Sequence, residues 1–178
     1  GVPVALSEAE ADRRAFLLSL QSRGLRGVEC VVSGDHAGLR AARRAVLGGA
    51  AWQRCQFHLA RNAIHHAPSL AIRRRIGAEL RAVWNAPSLA KAEAALAELV
   101  ATYRDTAPKL AAWPEEAVPE GLAVFALPEH HRKRMRTSNP IERAVQQELK
   151  RRTVKVRIFP NDQSLERLVS AVLVEIDD

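Results

Sequence analysis

Two carboxylates and one cysteine–histidine pair are the groups in this 178-residue chain whose setting could support chemistry. Asp35 lies in Ser33-Gly34-Asp35-His36-Ala37-Gly38-Leu39, just past an apolar, β-branched run. Cys55 and His58 are spaced Cys-x-x-His within Gln53-Arg54-Cys55-Gln56-Phe57-His58, and Glu142 closes Thr137-Ser138-Asn139-Pro140-Ile141-Glu142. Carboxylates held on separate elements are what phosphodiester cleavage or strand transfer requires. Two divalent ions about 3.5–4 Å apart activate the attacking oxygen and stabilise the leaving one, and hard cations take oxygen ligands. An aspartate at the carboxyl end of a central strand is well placed for this, because ligands gather at that edge of an open α/β sheet.

Each of these residues also has a purely structural explanation. Asp35 directly precedes an expected helix and would make a good N-cap, which spacing alone favours. Glu142 falls at the third helical position after Asn139 and would complete a capping box. Cys55-x-x-His58 is half of a zinc ligand set. Zinc needs about four ligands in tetrahedral geometry, and Cys30, His36, His65 and His66 do not repeat the spacing, so zinc is not expected. A buried thiol beside a histidine at a strand edge accounts for the pair equally well.

The elements that must position these groups follow from periodicity and breakers. Val2 to Leu6 reads as a strand, and Ser7-Glu8-Ala9-Glu10 as a capping box that opens a helix with Ala11, Ala15 and Leu18 inward. Gly24 and Gly27 end that helix. Val28-Glu29-Cys30-Val31-Val32 reads as a short buried strand broken by Gly34. A second helix from near His36 turns Leu39, Ala42 and Val46 inward, Gly48-Gly49 closes it, and a third strand covers Ala51 to Arg54. This alternation predicts an α/β fold with some parallel pairing and helices on the sheet. Beyond it, Ile72, Ile76, Leu80 and Val83, then Leu89, Ala92, Leu96, Leu99 and Tyr103, recur as in two antiparallel helices joined by Asn85-Ala86-Pro87-Ser88. Pro108, Pro114, Pro119 and Pro128 punctuate a looser segment. Three parts result: residues 1–67 as the first part of a core, 68–127 as an all-helical insertion, and 128–178 as the core's closing helices. In the last part Asn139 is expected to cap a helix with Pro140 at its first position, running through Ile141, Val145 and Leu149. Asn161 caps the final helix and sets Leu165, Leu168, Val172 and Ile176 inward.

A chain of this length buries roughly 70% of its unfolded surface, enough for a core without staples. The net charge of +7 and the pI of about 10.2 fit a polyanionic partner, though an ordinary basic protein shares them. Two basic runs flank the Glu142 helix: His130-His131-Arg132-Lys133-Arg134-Met135-Arg136 and Lys150-Arg151-Arg152-Thr153-Val154-Lys155-Val156-Arg157. Most charge runs are solvated faces. The position of these two favours sequence-independent, salt-sensitive contacts to a phosphate backbone, with Arg54 and Arg61 on the same surface. Two cysteines make no disulfide framework and point to a reducing compartment. No signal peptide or eighteen-residue apolar run is present, so an intracellular protein with no membrane partner is expected. The chain opens in mid-strand and ends without a polar tail, as a truncated piece of a longer protein would.

Taken in order, with a long helical stretch between the second and third, the three signatures resemble the catalytic domain of Mutator-type bacterial insertion-sequence transposases over nearly the whole chain. The resemblance implies a ribonuclease-H-like core, here partial, with a helical insertion and a helix-rich whole. It implies Asp-Asp-Glu transposition: hydrolytic nicking at the element ends, then attack of the freed 3′-hydroxyl on target DNA, with Mg2+ or Mn2+ as cofactor. It makes Glu142 the third metal-binding carboxylate, in the family's Thr-x-Asn-x-x-Glu pattern, and places Gly34, His36, Cys55, His58 and Asn139 in the active-site vicinity. The family's second aspartate follows the serine directly in Ser-Asp-x-His-x-Gly-Leu, a position filled here by Gly34, so Asp35 is the candidate substitute ligand. The first aspartate belongs on a strand upstream of Gly1. Arg132, Lys133, Arg134, Arg136, Lys150, Arg151 and Arg152 are the expected DNA contacts. DNA (element ends and target) is the expected partner, a homo-oligomer is compatible, and the setting is the bacterial cytoplasm at the nucleoid. A truncated or inactive piece is expected, because Gly34 stands at the second aspartate's position and the chain lacks the first aspartate. The competing reading is a non-catalytic DNA-binding or assembly remnant of a transposase. A small zinc-stabilised structural protein is a distant third.

Overall fold

Alanine, leucine and arginine dominate the composition, and the chain accordingly spends most of its length in helices. The computed structural model describes residues 9–154 and 159–177, which divide into two compact units. The expected strand at Val2 to Leu6 lies outside the described residues.

One unit comprises residues 29–34 and 50–138. It holds two strands, β1 (Cys30–Ser33) and β2 (Ala51–Arg54), paired in parallel with Cys30 opposite Ala51 and Ser33 opposite Arg54. Parallel pairing of segments this close in sequence requires a crossover, and α2 (Ala37–Val46) lies in the connecting segment, as the alternation predicts. β1 starts two residues later than expected, at Cys30 rather than Val28, and all four of its residues are half-buried rather than buried. Around this small sheet lie α3 (Gln56–His66), α4 (Leu70–Trp84), α5 (Leu89–Tyr103), α6 (Pro108–Ala117) and α7 (Glu129–Met135).

The paired helices begin where serine can accept an otherwise orphaned N–H. Ser69 Oγ accepts from Ile72 N and Ser88 Oγ from Lys91 N, each at 3.3 Å. Their apolar stripes meet in one core with Leu59, Ile76, Leu80, Val83, Leu110 and Val118 fully buried. Leu89, expected on that stripe, is exposed at the first position of α5. The proline-punctuated segment is not loose. Pro108 occupies the first position of α6 and Pro119 the first turn of a 3-10 segment over Val118–Gly121, where a missing N–H costs nothing. Pro114 is accommodated inside α6 and is itself buried in the core.

Tyr103, the single tyrosine of the chain, packs into this core and donates from its hydroxyl to Glu79 Oε2 at 2.7 Å. Burial, then the hydrogen bond to and negative charge of Glu79, push the phenol up to about 12 from 10.0. The folded state therefore holds the proton more tightly than the unfolded one. Its contribution is fully present below pH 10 and is lost as the pH rises through about 12. Phenolate absorbance of the native chain should titrate near 12 and that of the urea-unfolded chain near 10, both from this one residue. A native midpoint near 10 would show that the Glu79 bond does not form.

The other unit gathers residues 1–28, 35–49 and 139–178. α1 (Glu10–Ser22) packs on α2, and Gln21 Nε2 donates to Val46 O at 3.1 Å. The helix starts after Ala9 as N-cap rather than at the expected Ser7 box, and Leu18 is 48% exposed while Phe16, Leu17 and Leu20 are half-buried. The inward stripe of α1 is thus rotated by about one residue from the one periodicity suggested. On α2, Ala42 is buried and Leu39 and Val46 half-buried, as expected. α8 (Asn139–Thr153) packs on α9 (Asp162–Asp177). Asn161 Oδ1 accepts from Ser164 N at 2.9 Å, the expected cap, and Val172 is fully buried. Ile176, expected inward, is 45% exposed near the end of α9.

Candidate functional site

The carboxyl end of β1 is where the three signatures come together within one unit. Ser33 Oγ accepts from Trp52 Nε1 at 2.9 Å and donates to Gly34 O at 3.0 Å, which fixes the turn out of the strand. Cys55 N–H donates to Ser33 O at 2.8 Å, continuing the parallel ladder one residue beyond β2 and setting Cys55 as the N-cap of α3. Three residues on, His58 has turned back beside the first strand. A Cβ placed on Gly34 would sit 3.5 Å from His58 Nδ1 and 4.0 Å from its Cε1, an ordinary contact. The Cys-x-x-His pair is therefore adjacent to the position at which the family pattern carries its aspartate.

The third signature enters through its first two residues. Gln56 N–H donates to Arg136 O at 3.0 Å, and Cys55 Sγ lies 3.2 Å from Thr137 Oγ1. Burial alone would raise the fully buried Cys55 thiol. Hydrogen bonds from the Thr137 hydroxyl, the His58 backbone, and the Ser138 hydroxyl and backbone outweigh it and bring the thiol below its ordinary value. The Cys55–Thr137 contact thus holds the start of the third signature beside the first turn of α3. No local signal points to Thr137 as this thiol's partner, because the two are 82 residues apart.

The other site residues lie in the second unit. Asp35 is ion-paired with Arg40, Oδ1 to Nη1 2.9 Å. It does not cap α2: the N-cap is His36, one residue further on, and makes no side-chain capping bond. The capping explanation of Asp35 is therefore replaced by an ion pair within the first turns of the helix. α8 begins at Asn139 itself, so Pro140 is its second residue and Glu142 its fourth, one later than the capping-box register. Glu142 is exposed. Among the described residues no three His, Cys, Asp or Glu side chains cluster as a metal would require.

The basic residues differ in availability. Arg54 is withdrawn from any surface: its side chain is 6% exposed and pairs with Glu120 at 2.9 Å. On α8, Arg151 and Arg152 both hydrogen-bond Glu148, at 2.5 and 2.9 Å, and Arg152 also reaches Glu175 of α9. The two guanidinium groups hold the Glu148 carboxyl down at about 2. A phosphate must compete with these carboxylates for either arginine. Lys150, Lys133, Arg134 and Arg61 are exposed, whereas Arg132 and Arg136 are half-buried and hydrogen-bonded to Leu127 O and Asn85 Oδ1. Lys155 and Arg157 lie outside the described residues.

A feature that sequence reading missed supports the site from beneath. Gln53 and Gln56 are buried polar residues that both donate to Gly121 O, at 2.7 and 2.9 Å. Gln53 Oε1 also accepts from Val124 N at 2.7 Å. A glutamine on a four-residue strand carries no periodic signal, so only the packed structure shows these contacts. Among the described residues no helix is long and apolar enough to cross a membrane.

Comparison with known proteins shows the family of the chain. The family model described as transposase, Mutator family, matches residues 1–178. The chain is 50% identical over 178 residues to the transposase for insertion sequence element IS406 of Burkholderia multivorans, covering all of this chain and 46% of that protein. It is 43% identical over 178 residues to the transposase for ISRM5 of Rhizobium meliloti, covering 98% of this chain and 43% of the relative. It is 37% identical over 180 residues to the transposase for IS1081 of Mycobacterium tuberculosis, covering 100% and 42%. The chain thus spans a little under half the length of these relatives, and over its whole extent it belongs to the Mutator family of transposases.

Proposed function

We propose that this chain is a segment of the catalytic domain of an Asp-Asp-Glu DNA transposase, acting in cleavage and strand transfer during movement of an insertion element. The observation that carries the reading is the meeting of Ser33-Gly34, Cys55, His58 and Thr137-Ser138 at one strand end, where an α/β sheet gathers its ligands. In this reading the β1–β2 sheet belongs to a ribonuclease-H-like core, residues 68–127 are a helical insertion, and α8 carries Glu142 as the family's third carboxylate. The reaction is a pair of phosphoryl transfers. Water attacks a phosphodiester at the element end and the 3′-oxygen leaves; that 3′-hydroxyl then attacks target DNA and displaces a second 3′-oxygen. DNA is the partner, met by Lys133, Arg134 and Lys150, with Arg132, Arg136, Arg151 and Arg152 joining once their present acceptors yield. The bacterial cytoplasm is the proposed setting.

Mg2+ or Mn2+ is the cofactor proposed for the complete transposase. The described residues of this chain do not by themselves fit a two-metal centre, since no ligand cluster forms among them, Gly34 offers no carboxylate and Asp35 is engaged by Arg40. That observation favours a second reading, a non-catalytic DNA-binding or assembly remnant of a transposase. One comparison separates the two. A complete transposase containing this chain is assayed for nicking of an element-end duplex beside its Glu142→Gln variant, together with the salt dependence of duplex binding. Nicking that disappears with Glu142→Gln supports the catalytic reading. Steeply salt-dependent binding without nicking supports the remnant. Absence of binding overturns both.

A further inference from the structure

On the unit that holds the sheet, α7 and the turn after α4 enclose a cleft of about 410 Å3, within the range of roughly 300–1,000 Å3 typical of small-ligand pockets. Arg132, Lys133 and Arg136 line it. Positions three and four apart share a helix face, so α7 and its C-cap bring these three cations to the cleft and leave Arg134 of the same run outside it. Glu129 is the single carboxylate among the lining residues. Among the described residues, none of the three cations makes an ion pair with it or with any other carboxylate. Arg40, Arg54, Arg75, Arg151 and Arg152 all have carboxylate partners.

Both arginines are half-buried and held in place. Arg132 donates through Nε to Leu127 O at 3.0 Å, and the Phe125 ring, its centre 5.7 Å from the guanidinium carbon, restrains it further. Arg136 donates through Nη1 to Asn85 Oδ1 at 2.8 Å. A guanidinium has several N–H donors, so each anchor uses one and leaves the others to a ligand. Donors already fixed lose little freedom when that ligand arrives. A phosphate outside the cleft would have to draw Arg132 and Arg136 from their acceptors, whereas one seated within it would not. A phosphate also offers enough oxygens for two guanidinium groups and an ammonium at once, which the two oxygens of a carboxylate do not. We infer that this cleft is a phosphate-binding site, with Arg132, Lys133 and Arg136 as its donors and Asn85 as the residue that positions Arg136. Two sources share this chemistry, a DNA strand and a free phosphate compound. For the first, the inference rests on the reading of DNA as the partner and adds where a backbone phosphate is gripped.

The test uses a complete transposase containing this chain, without divalent ions and at matched ionic strength. Calorimetry measures the binding of inorganic phosphate, and fluorescence anisotropy that of a labelled duplex. Asn85→Asp sets a carboxylate against Arg136 in place of the amide oxygen and should weaken phosphate binding about tenfold. Asn85→Ala, which releases Arg136 without adding charge, and Lys133→Ala should each weaken it severalfold. Asn85 and Lys133 are exposed, so these variants leave the core intact. Arg81→Ala makes the same change in net charge as Asn85→Asp, at an exposed position of α4 that does not line the cleft, and should alter either affinity less than twofold. Parallel loss of phosphate and duplex affinity in Asn85→Asp makes the occupant a strand phosphate. Loss of phosphate affinity alone makes it a free phosphate compound. Phosphate affinity that is absent from the parent, unchanged in Asn85→Asp, or lost as much in Arg81→Ala overturns the site. A parent that binds phosphate but no duplex overturns the DNA reading and leaves the site standing.

Discussion

Gly34→Asp, made in a complete transposase that carries this chain behind a strand bearing the first aspartate, is expected to raise divalent-ion-dependent cleavage of an element-end duplex by about a hundredfold. Each factor of ten corresponds to about 1.4 kcal/mol of barrier, and a correctly placed ligand supplies a few kcal/mol of charge stabilisation. The local structure accepts the change. Gly34 is not among the glycines with positive φ, so an L-residue brings no backbone strain there. The new Cβ would make only van der Waals contact with the His58 ring. The carboxylate would then stand beside the Cys-x-x-His pair, where the family pattern has it. In the same background Asp35→Ala should change cleavage severalfold at most, because Asp35 is already engaged by Arg40 one residue further along the chain. Single-turnover cleavage of a labelled duplex across a magnesium titration reads both effects. Efficient cleavage by the Gly34 parent that Asp35→Ala abolishes would make Asp35 the ligand and shift the motif by one residue.

The largest expected effect on stability is at Gln53. Its side chain is fully buried and makes three hydrogen bonds of 2.7 Å, donating to the Arg54 and Gly121 carbonyls and accepting from Val124 N. These bonds tie β2 to the 3-10 turns at Val118–Gly121 and Ala123–Ala126, which would otherwise hold buried backbone groups with few partners. Gln53→Ala leaves the Val124 N–H without this acceptor and opens a cavity, while the Gly121 carbonyl keeps Gln56. An unsatisfied buried donor costs about 1–3 kcal/mol and the lost packing adds to it, for a total of about 3 kcal/mol. For a chain of this size that lowers the thermal midpoint by roughly 6–12 °C. Calorimetry or circular dichroism would show it. A drop of less than about 2 °C would mean that water replaces the amide and that the turns stand without it.

The family, the strand–helix–strand order with its parallel pairing, the α4–α5 pair and the cap at Asn161 are legible in the residues alone. Each of these rests on local signals: residue types at fixed short spacings, apolar periods of three and four, and serine, asparagine or glycine at chain reversals. The proline-rich stretch departs from expectation for the same reason. Proline is a breaker by local rule, and only the packing of Leu110, Pro114 and Val118 into the core shows that α6 continues through it. What no spacing could disclose is pairing between residues far apart in the chain. Thr137 on Cys55, Gly121 on Gln53, Glu120 on Arg54 and Gly34 against His58 are decided by which buried polar group or empty position another element reaches once the apolar faces have packed. Tertiary structure likewise separated the charges that sequence ran together. Arg54, Arg151 and Arg152 are basic letters in a row of candidates, but Arg54 is buried and held by Glu120 from another element, whereas Arg151 and Arg152 meet carboxylates of α8 and α9 at the surface.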